Sequence, residues 1–287
     1  MKIGISLGSG SFKGICHLGF IKALEEEGIK PDVIAGSSIG AVIGALWASG
    51  KNSNEMIKIF KQMGSKNFLK YISFSISTKG IIEPKIEDFL KEHIGAENFE
   101  DLKIKLIVTA TDITNGTRIK ITQGSVLKAV RKSISIPGIM RPVIENDSII
   151  IDGGVLAPLP LKELMDEKCT HIFASSLTPE DHKKILPTTF ERISRMTRQK
   201  LEEIFKMEIS DPSLTIYSII KRSMILMNIE LENYEIKLYK PKILARYPID
   251  ELDISALDRI DEYVELSYKK TKELLKNPLK LIKFFTL

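Results

Sequence analysis

The five residues Gly36-Ser37-Ser38-Ile39-Gly40 place a serine between two glycines, directly after the apolar run Val33-Ile34-Ala35 and before a helix-forming stretch, residues 41–49. A strand, a sharp turn and a helix with a serine at the apex would strain the backbone so that the Ser38 hydroxyl projects outward. The amides that follow would then point at any charge developing beside it. Side chains at Gly36 and Gly40 would block the close backbone approach that such a turn demands. The pattern favours a nucleophilic serine over an ordinary Gly/Ser turn.

A serine nucleophile needs a base to take its proton and donors to hold an oxyanion. His17 falls early in the first helix, His93 near a helix end, His171 in a buried strand and His182 in a proline-flanked loop. None follows a late strand with an acidic partner beside it, so a structural role is expected for each. Carboxylates offer a better base. Asp152 ends the run Ser148-Ile149-Ile150-Ile151 and precedes Gly153 and Gly154, which let backbone or substrate come close. Taken alone, this aspartate reads as a helix cap; paired with Ser38, it reads as a general base. The loop Gly8-Ser9-Gly10-Ser11-Phe12-Lys13-Gly14 stands before the first helix, where free amides and the helix dipole favour negative charge. A dinucleotide cradle would want an acid at the end of the second strand, a place taken here by residues 36–38. An oxyanion hole serving Ser38 fits better.

The elements that must position these residues follow from periodicity. Residues 2–7 form a strand, residues 18–27 an amphipathic helix closed by Gly28 and Pro31, and residues 32–35 a second strand. This βαβ unit makes the two strands parallel through a right-handed crossover and brings both loops to one carboxyl edge of the sheet. Residues 54–98 read as helices broken by a Ser/Gly-rich loop around 73–80. A buried strand is expected at 105–111, paired with 118–121 across Asn115-Gly116, then a helix at 126–133. A hairpin around Asn146-Asp147 delivers Asp152, and 171–175 is a further strand. Beyond Pro187 the pattern predicts helices at 190–209, 214–231 and 255–275, with a strand at 235–239. The helix at 190–209 carries Ile193, Met196, Leu201, Ile204 and Phe205, read first as a core stripe and alternatively as a lid or interfacial helix.

With 287 residues, 43% hydrophobic and 28% charged, the chain can bury a sizeable core and is neither disordered nor a coiled coil. No apolar run is long enough to span a bilayer and no signal peptide precedes the first strand, so a cytoplasmic protein is expected. Cys16 and Cys169 have neither metal nor disulfide spacing and are expected to be buried thiols. The net charge of +5 is concentrated in residues 183–200 and 269–283. Basic residues mixed with Leu, Ile and Phe suit peripheral contact with an anionic membrane surface, or are simply solvated helix faces; no nucleic-acid motif accompanies them.

Four segments in this order resemble the patatin-like phospholipase family of the bacterial single-domain kind. They are residues 8–14 with His17-Leu18-Gly19, the elbow Gly36-Ser37-Ser38-Ile39-Gly40, the block Ser133-Ile134-Ser135-Ile136-Pro137-Gly138, and Asp152-Gly153-Gly154. Thr111-Asp112 resembles the family's strand end, and the match covers residues 1–178. The resemblance implies a three-layer α/β/α fold with a mainly parallel central sheet, a catalytic core at 1–178 and a helical C-terminal part at 179–287 packed on it. That part would supply a lid or membrane-facing helices within 190–231. The resemblance also implies a lipid acyl hydrolase working through an acyl-enzyme, without metal or cofactor: Ser38 the nucleophile, Asp152 the base, and amides around Ser9, Gly10 and Ser11 the oxyanion donors. Lys13 stands where the family usually has arginine and Ala157 where many members have asparagine. Ser9 and Ser11 replace commoner glycines, which requires their backbone angles to be ordinary. An acyltransferase with the same dyad, a weakly active lipid-binding regulator and a homodimer through the C-terminal helices remain open alternatives.

Overall fold

A computed structural model describes residues 1–68, 72–77, 80–84, 86–178, 216–247, 249 and 254–276. Its first strand β1 (Ile3–Leu7), helix α1 (Ile15–Glu26) and strand β2 (Val33–Ser37) form the expected βαβ unit, with Gly4 opposite Val33 and Leu7 opposite Gly36 in parallel register. Helices α2 (Ile39–Ala48) and α3 (Ser53–Phe68) follow, then strands β3 (Ile72–Ser77) and β4 (Gly80–Pro84) and helix α4 (Ile86–Ile94). Next come β5 (Lys105–Asp112), β6 (Thr117–Ile121), α5 (Val126–Ser133), β7 (Val143–Glu145), β8 (Ser148–Asp152), α6 (Lys162–Asp166) and β9 (His171–Ser176). The C-terminal part contributes α7 (Ile216–Tyr239), β10 (Ile243–Arg246) and α8 (Ile260–Lys276).

The main sheet runs β10-β9-β1-β2-β5-β8-β7, with β6 also on β5. Strands β10, β9, β1, β2 and β5 are mutually parallel, while β6, β7 and β8 pair antiparallel. Because successive strand residues face opposite sides, Ile34, Leu106, Val108 and Phe173 join one core, and Val33, Ala35, Ile107, Ile172 and Ala174 join the other. Helices α1, α2 and α5 cover the first face, and α6 with Ile236 of α7 covers the second, giving three α/β/α layers. Strand β10 extends the sheet beside β9, and α8 packs along α1, where Tyr268 donates to Glu26 at 2.6 Å.

Two expectations are corrected. The Ser/Gly-rich stretch around 73–80 is not a loop but most of the separate hairpin β3–β4, whose first strand, Ile72-Ser73-Phe74-Ser75-Ile76-Ser77, alternates apolar and hydroxylated residues at strand period. The strand expected at 235–239 is instead the end of α7, and the strand comes after Pro241. The alternation Tyr234-Glu235-Ile236-Lys237-Leu238 suits a strand, but Glu232, Glu235 and Ile236 bury together at helical spacing, and Arg118 and Arg246 meet the two carboxylates. The segment 190–209, with its lid reading, lies outside the described residues.

Candidate active site

Ser38 lies at the junction of β2 and α2 with φ 54° and ψ −122°, a backbone conformation that a residue with a side chain adopts only under constraint. Part of that constraint is steric: a Cβ at Gly40 would collide with the Leu7 carbonyl of β1, so only glycine lets the helix start this close to the sheet. Another part is polar, since the Ser38 amide donates to the Ser133 hydroxyl at 2.8 Å.

Strand β5 explains why Asp152 meets Ser38. One edge of β5 is occupied by β6 from Val108 to Asp112. The other edge carries β2 only as far as Ser37 opposite Thr109, and β8 takes over with Asp152 opposite Ala110. The two strands run toward one another along the same edge and stop at adjacent register positions. The residue leaving β2 and the residue ending β8 are thereby brought face to face.

The Ser38 hydroxyl donates to Asp152 Oδ2 at 2.5 Å, and each residue is about 5% exposed. Asp152 Oδ1 accepts from the Gly154 amide at 2.7 Å, so this aspartate caps the turn with one oxygen and meets Ser38 with the other. Burial pushes the Asp152 carboxyl up to about 6, against the opposing effect of hydrogen bonds from Ser38 and Gly154. A Cβ at Gly154 would meet both the Ser9 hydroxyl and Asp152 Oδ1, so glycine there allows the loop at 8–14 to lie against the aspartate.

That loop is braced on its inner side. The Gly8 amide donates to Ser175 O at 3.0 Å and the Ser9 amide to Pro158 O at 2.8 Å. The Ser9 amide is therefore already used, and the donors left at the apex are Gly10 and Ser11, which have no acceptor among the described residues. Ser11 opens a 3-10 turn (Ser11–Gly14), where the first amides have no partner within the helix; Lys13 follows, half-buried, its own amide on Gly10 O. The backbone of Ser11 is not ordinary: φ is 52°, the left-handed region in which a glycine would be unstrained.

His17 is fully buried and, as expected, structural. Its Nε2 lies 2.9 Å from the Gly8 carbonyl and its Nδ1 2.7 Å from the Ser175 hydroxyl. A carbonyl only accepts, so Nε2 carries the proton and Nδ1 accepts from Ser175, which in turn accepts from Tyr247 at 3.0 Å. Burial pulls the imidazole down to about 4, which keeps it neutral in this role. Behind Asp152, the Arg118 guanidinium of β6 donates to the Leu156 carbonyl and pairs with Glu163 of α6 at 3.2 Å and with Glu235 of α7. Arg118 thus ties the segment after Asp152-Gly153-Gly154 to both helices of that face.

Of the residues singled out from sequence, Ser38, Asp152, Gly36, Gly40, Gly153, Gly154 and the loop at 8–14 lie together at one sheet edge. The contacts of residues 133–135 are not legible in the sequence: the block resembles a family motif, but hydroxylated residues at a helix end carry no signal of their own. Cys16 and Cys169 are buried free thiols. Among the described residues no group of three or more His, Cys, Asp or Glu could hold a metal ion, and no helix is long and apolar enough to cross a membrane.

The family model described as patatin-like phospholipase matches residues 5–165. An NTE family protein of Mycobacterium tuberculosis is 34% identical over 177 residues, covering 61% of this chain and 49% of the relative. The protein named lysophospholipase NTE1 of Saccharomyces cerevisiae is 31% identical over 188 residues, covering 62% of this chain and 11% of its own length. The chain thus spans about half the length of the mycobacterial relative and a small part of the yeast one. Among solved structures, VipD from Legionella pneumophila superposes with a TM-score of 0.52 at 15% identity, over 96% of this chain and 66% of that one, a likeness of fold.

Proposed function

Because this chain belongs to the patatin-like phospholipase family, we propose that it hydrolyses acyl esters of lipids, with Ser38 as nucleophile and Asp152 as its general base. The observation that carries this reading is the buried 2.5 Å hydrogen bond from the Ser38 hydroxyl to Asp152, made by a serine held at positive φ. Asp152 takes the Ser38 proton as the hydroxyl oxygen attacks the ester carbonyl. The negative charge that forms on the carbonyl oxygen is met by the Gly10 and Ser11 amides and by the amide of Ile39 at the start of α2. Protonated Asp152 then gives its proton to the leaving alcohol oxygen, and the acyl group stays on Ser38. Water, deprotonated by the same carboxylate, attacks the acyl-enzyme and releases the fatty acid, returning the proton to Ser38. A carboxylate is a weak base in water; burial raises the basicity of Asp152 toward the working range.

The lipid class follows the yeast relative's name, so a lysophospholipid is the first substrate to try. We assign residues 1–178 to the catalytic core and 179–287 to a C-terminal part of the same domain, a division supported by β10 in the main sheet and α8 on α1. Peripheral contact with a membrane from the cytoplasmic side belongs to the same reading. It is supported by Met227, Tyr234 and Leu238, 69%, 65% and 54% exposed along one side of α7. The dyad is tested by labelling with a fluorophosphonate and mapping the adduct. Label on Ser38, lost in Asp152→Asn, supports the reading; a native chain that stays unlabelled, or labels elsewhere, rejects it.

A further inference from the structure

Resting on the reading of Ser38 as the nucleophile, we infer that Ser133 is a positioning residue of this site, holding the elbow and the base in one frame. Ser133 is the last residue of α5 and is fully buried. Its hydroxyl oxygen accepts the Ser38 amide at 2.8 Å. That amide has no alternative in regular structure. The β2–β5 ladder ends at Ser37 opposite Thr109, and a residue at the head of α2 has no carbonyl one turn behind it. Without Ser133 the amide would be a buried donor with no acceptor among the described residues, at the position where φ 54° must be maintained against strain.

Two residues further on, the Ser135 carbonyl accepts the Asp152 amide at 3.0 Å. One short segment therefore grips the backbone of both members of the dyad, and its own shape is fixed. The Ile136 amide bonds the Ile134 carbonyl at 2.8 Å, while Arg131 donates to the Ser135 hydroxyl at 2.6 Å and to the Arg141 carbonyl at 3.0 Å. A shift of this segment moves nucleophile and base together, whereas loss of the Ser133 hydroxyl frees only the nucleophile. The 2.5 Å separation of Ser38 and Asp152 then has one anchored end and one loose end. Ser133 touches neither reacting atom, so its effect falls on placement and not on substrate binding.

The test compares Ser133→Thr with Ser133→Val, two side chains of nearly equal shape that differ in the hydroxyl. With a soluble p-nitrophenyl ester, Ser133→Val should lose about tenfold to a hundredfold in kcat with KM within about twofold, as expected for a reacting group displaced by under an ångström. The rate of fluorophosphonate labelling at Ser38 should fall in parallel, and Ser133→Thr should keep both within about threefold of native. The midpoint of the acid limb of kcat should stay or rise and not fall, since a loosened Ser38 gives up a hydrogen bond that holds the Asp152 carboxyl down while the Gly154 bond remains. Equal loss in Thr and Val, or native kcat in Val, overturns the role. Should the added methyl groups prevent folding, Ser133→Ala has no such bulk; native kcat in that variant also overturns it. Labelling of the unaltered chain separates the two levels: no adduct on Ser38 removes the nucleophile reading and this role with it, whereas a labelled Ser38 whose rate is indifferent to Ser133→Val removes the role alone.

Discussion

Asp152→Asn should cut turnover by about 10²–10⁴-fold and yet stabilise the fold, by an amount that depends on pH in a prescribed direction. Burial lifts this carboxyl from an ordinary 3.8 to about 6, which means that the folded protein prefers it protonated. The contribution of the neutral form is fully present below about pH 4 and is lost as pH rises through about 6. Above that, the protein carries a buried anion supported, among the described residues, by the Ser38 hydroxyl and the Gly154 amide. At about 1.4 kcal/mol for each pH unit, the difference between the two values amounts to about 3 kcal/mol. Asparagine has the same shape, can still accept from Gly154 and can donate to the Ser38 oxygen, and carries no charge at any pH. The variant should therefore be more stable than native by roughly 2–3 kcal/mol at pH 8 and indistinguishable at pH 4. Urea unfolding at a series of pH values reads this directly, provided the two chains unfold with the same slope on denaturant. A variant that tracks the native midpoint at every pH, or is weaker at pH 8, would refute the argument that desolvation of Asp152 governs its acidity.

Other consequences are checked more simply. Because Asp152 must be ionised to act as base, kcat/KM for a soluble ester should rise through about pH 6 and level off above it; a profile flat from pH 5 to 8 contradicts the assignment. Ser11→Gly should be tolerated, with stability unchanged or higher by up to ~1 kcal/mol. Ser11→Val should lose ~2 kcal/mol, because a β-branched residue is poorly accommodated at φ 52°; thermal melting of the pair decides it. Arg118→Met removes the cation from between buried Glu163 and Glu235 and should cost ~3–5 kcal/mol in urea unfolding at neutral pH, with a smaller loss toward acid pH, because burial already pushes Glu235 up and favours its protonated form. Met227→Glu together with Leu238→Glu should weaken cosedimentation with anionic vesicles while leaving soluble-ester turnover intact; unchanged sedimentation removes α7 as the contact.

Much of the site was readable because its parts are local. The elbow, the loop at 8–14 and the Asp-Gly-Gly turn each combine a strand end with glycines at fixed offsets, and each occurs where periodicity put it. The βαβ unit then places two of the three at one sheet edge because its two strands are parallel. What the sequence does not carry is the relation between distant pieces. That β2 and β8 end against each other along β5 depends on which edge β6 occupies, a choice made by pairings between residues up to 72 apart. The role of Ser133 depends on the same assembly. The strain at Ser11 is invisible for a different reason: serine is an unremarkable residue there until its φ is known. In α7, residues 234–238 satisfy strand and helix periods alike, and only burial of Glu232 and Glu235 against arginines from other strands resolves the ambiguity.

Fatty acid release from a lysophospholipid is the decisive assay for Ser38 and Asp152 acting together to cleave acyl esters of lipids. The native chain is compared with Ser38→Ala and Asp152→Asn at pH 8. The native protein should release fatty acid measurably, and release should fall by about 10²–10⁴-fold in Asp152→Asn and by at least as much in Ser38→Ala, each variant folded by circular dichroism. Release that persists at the native rate in either variant would contradict their acting together.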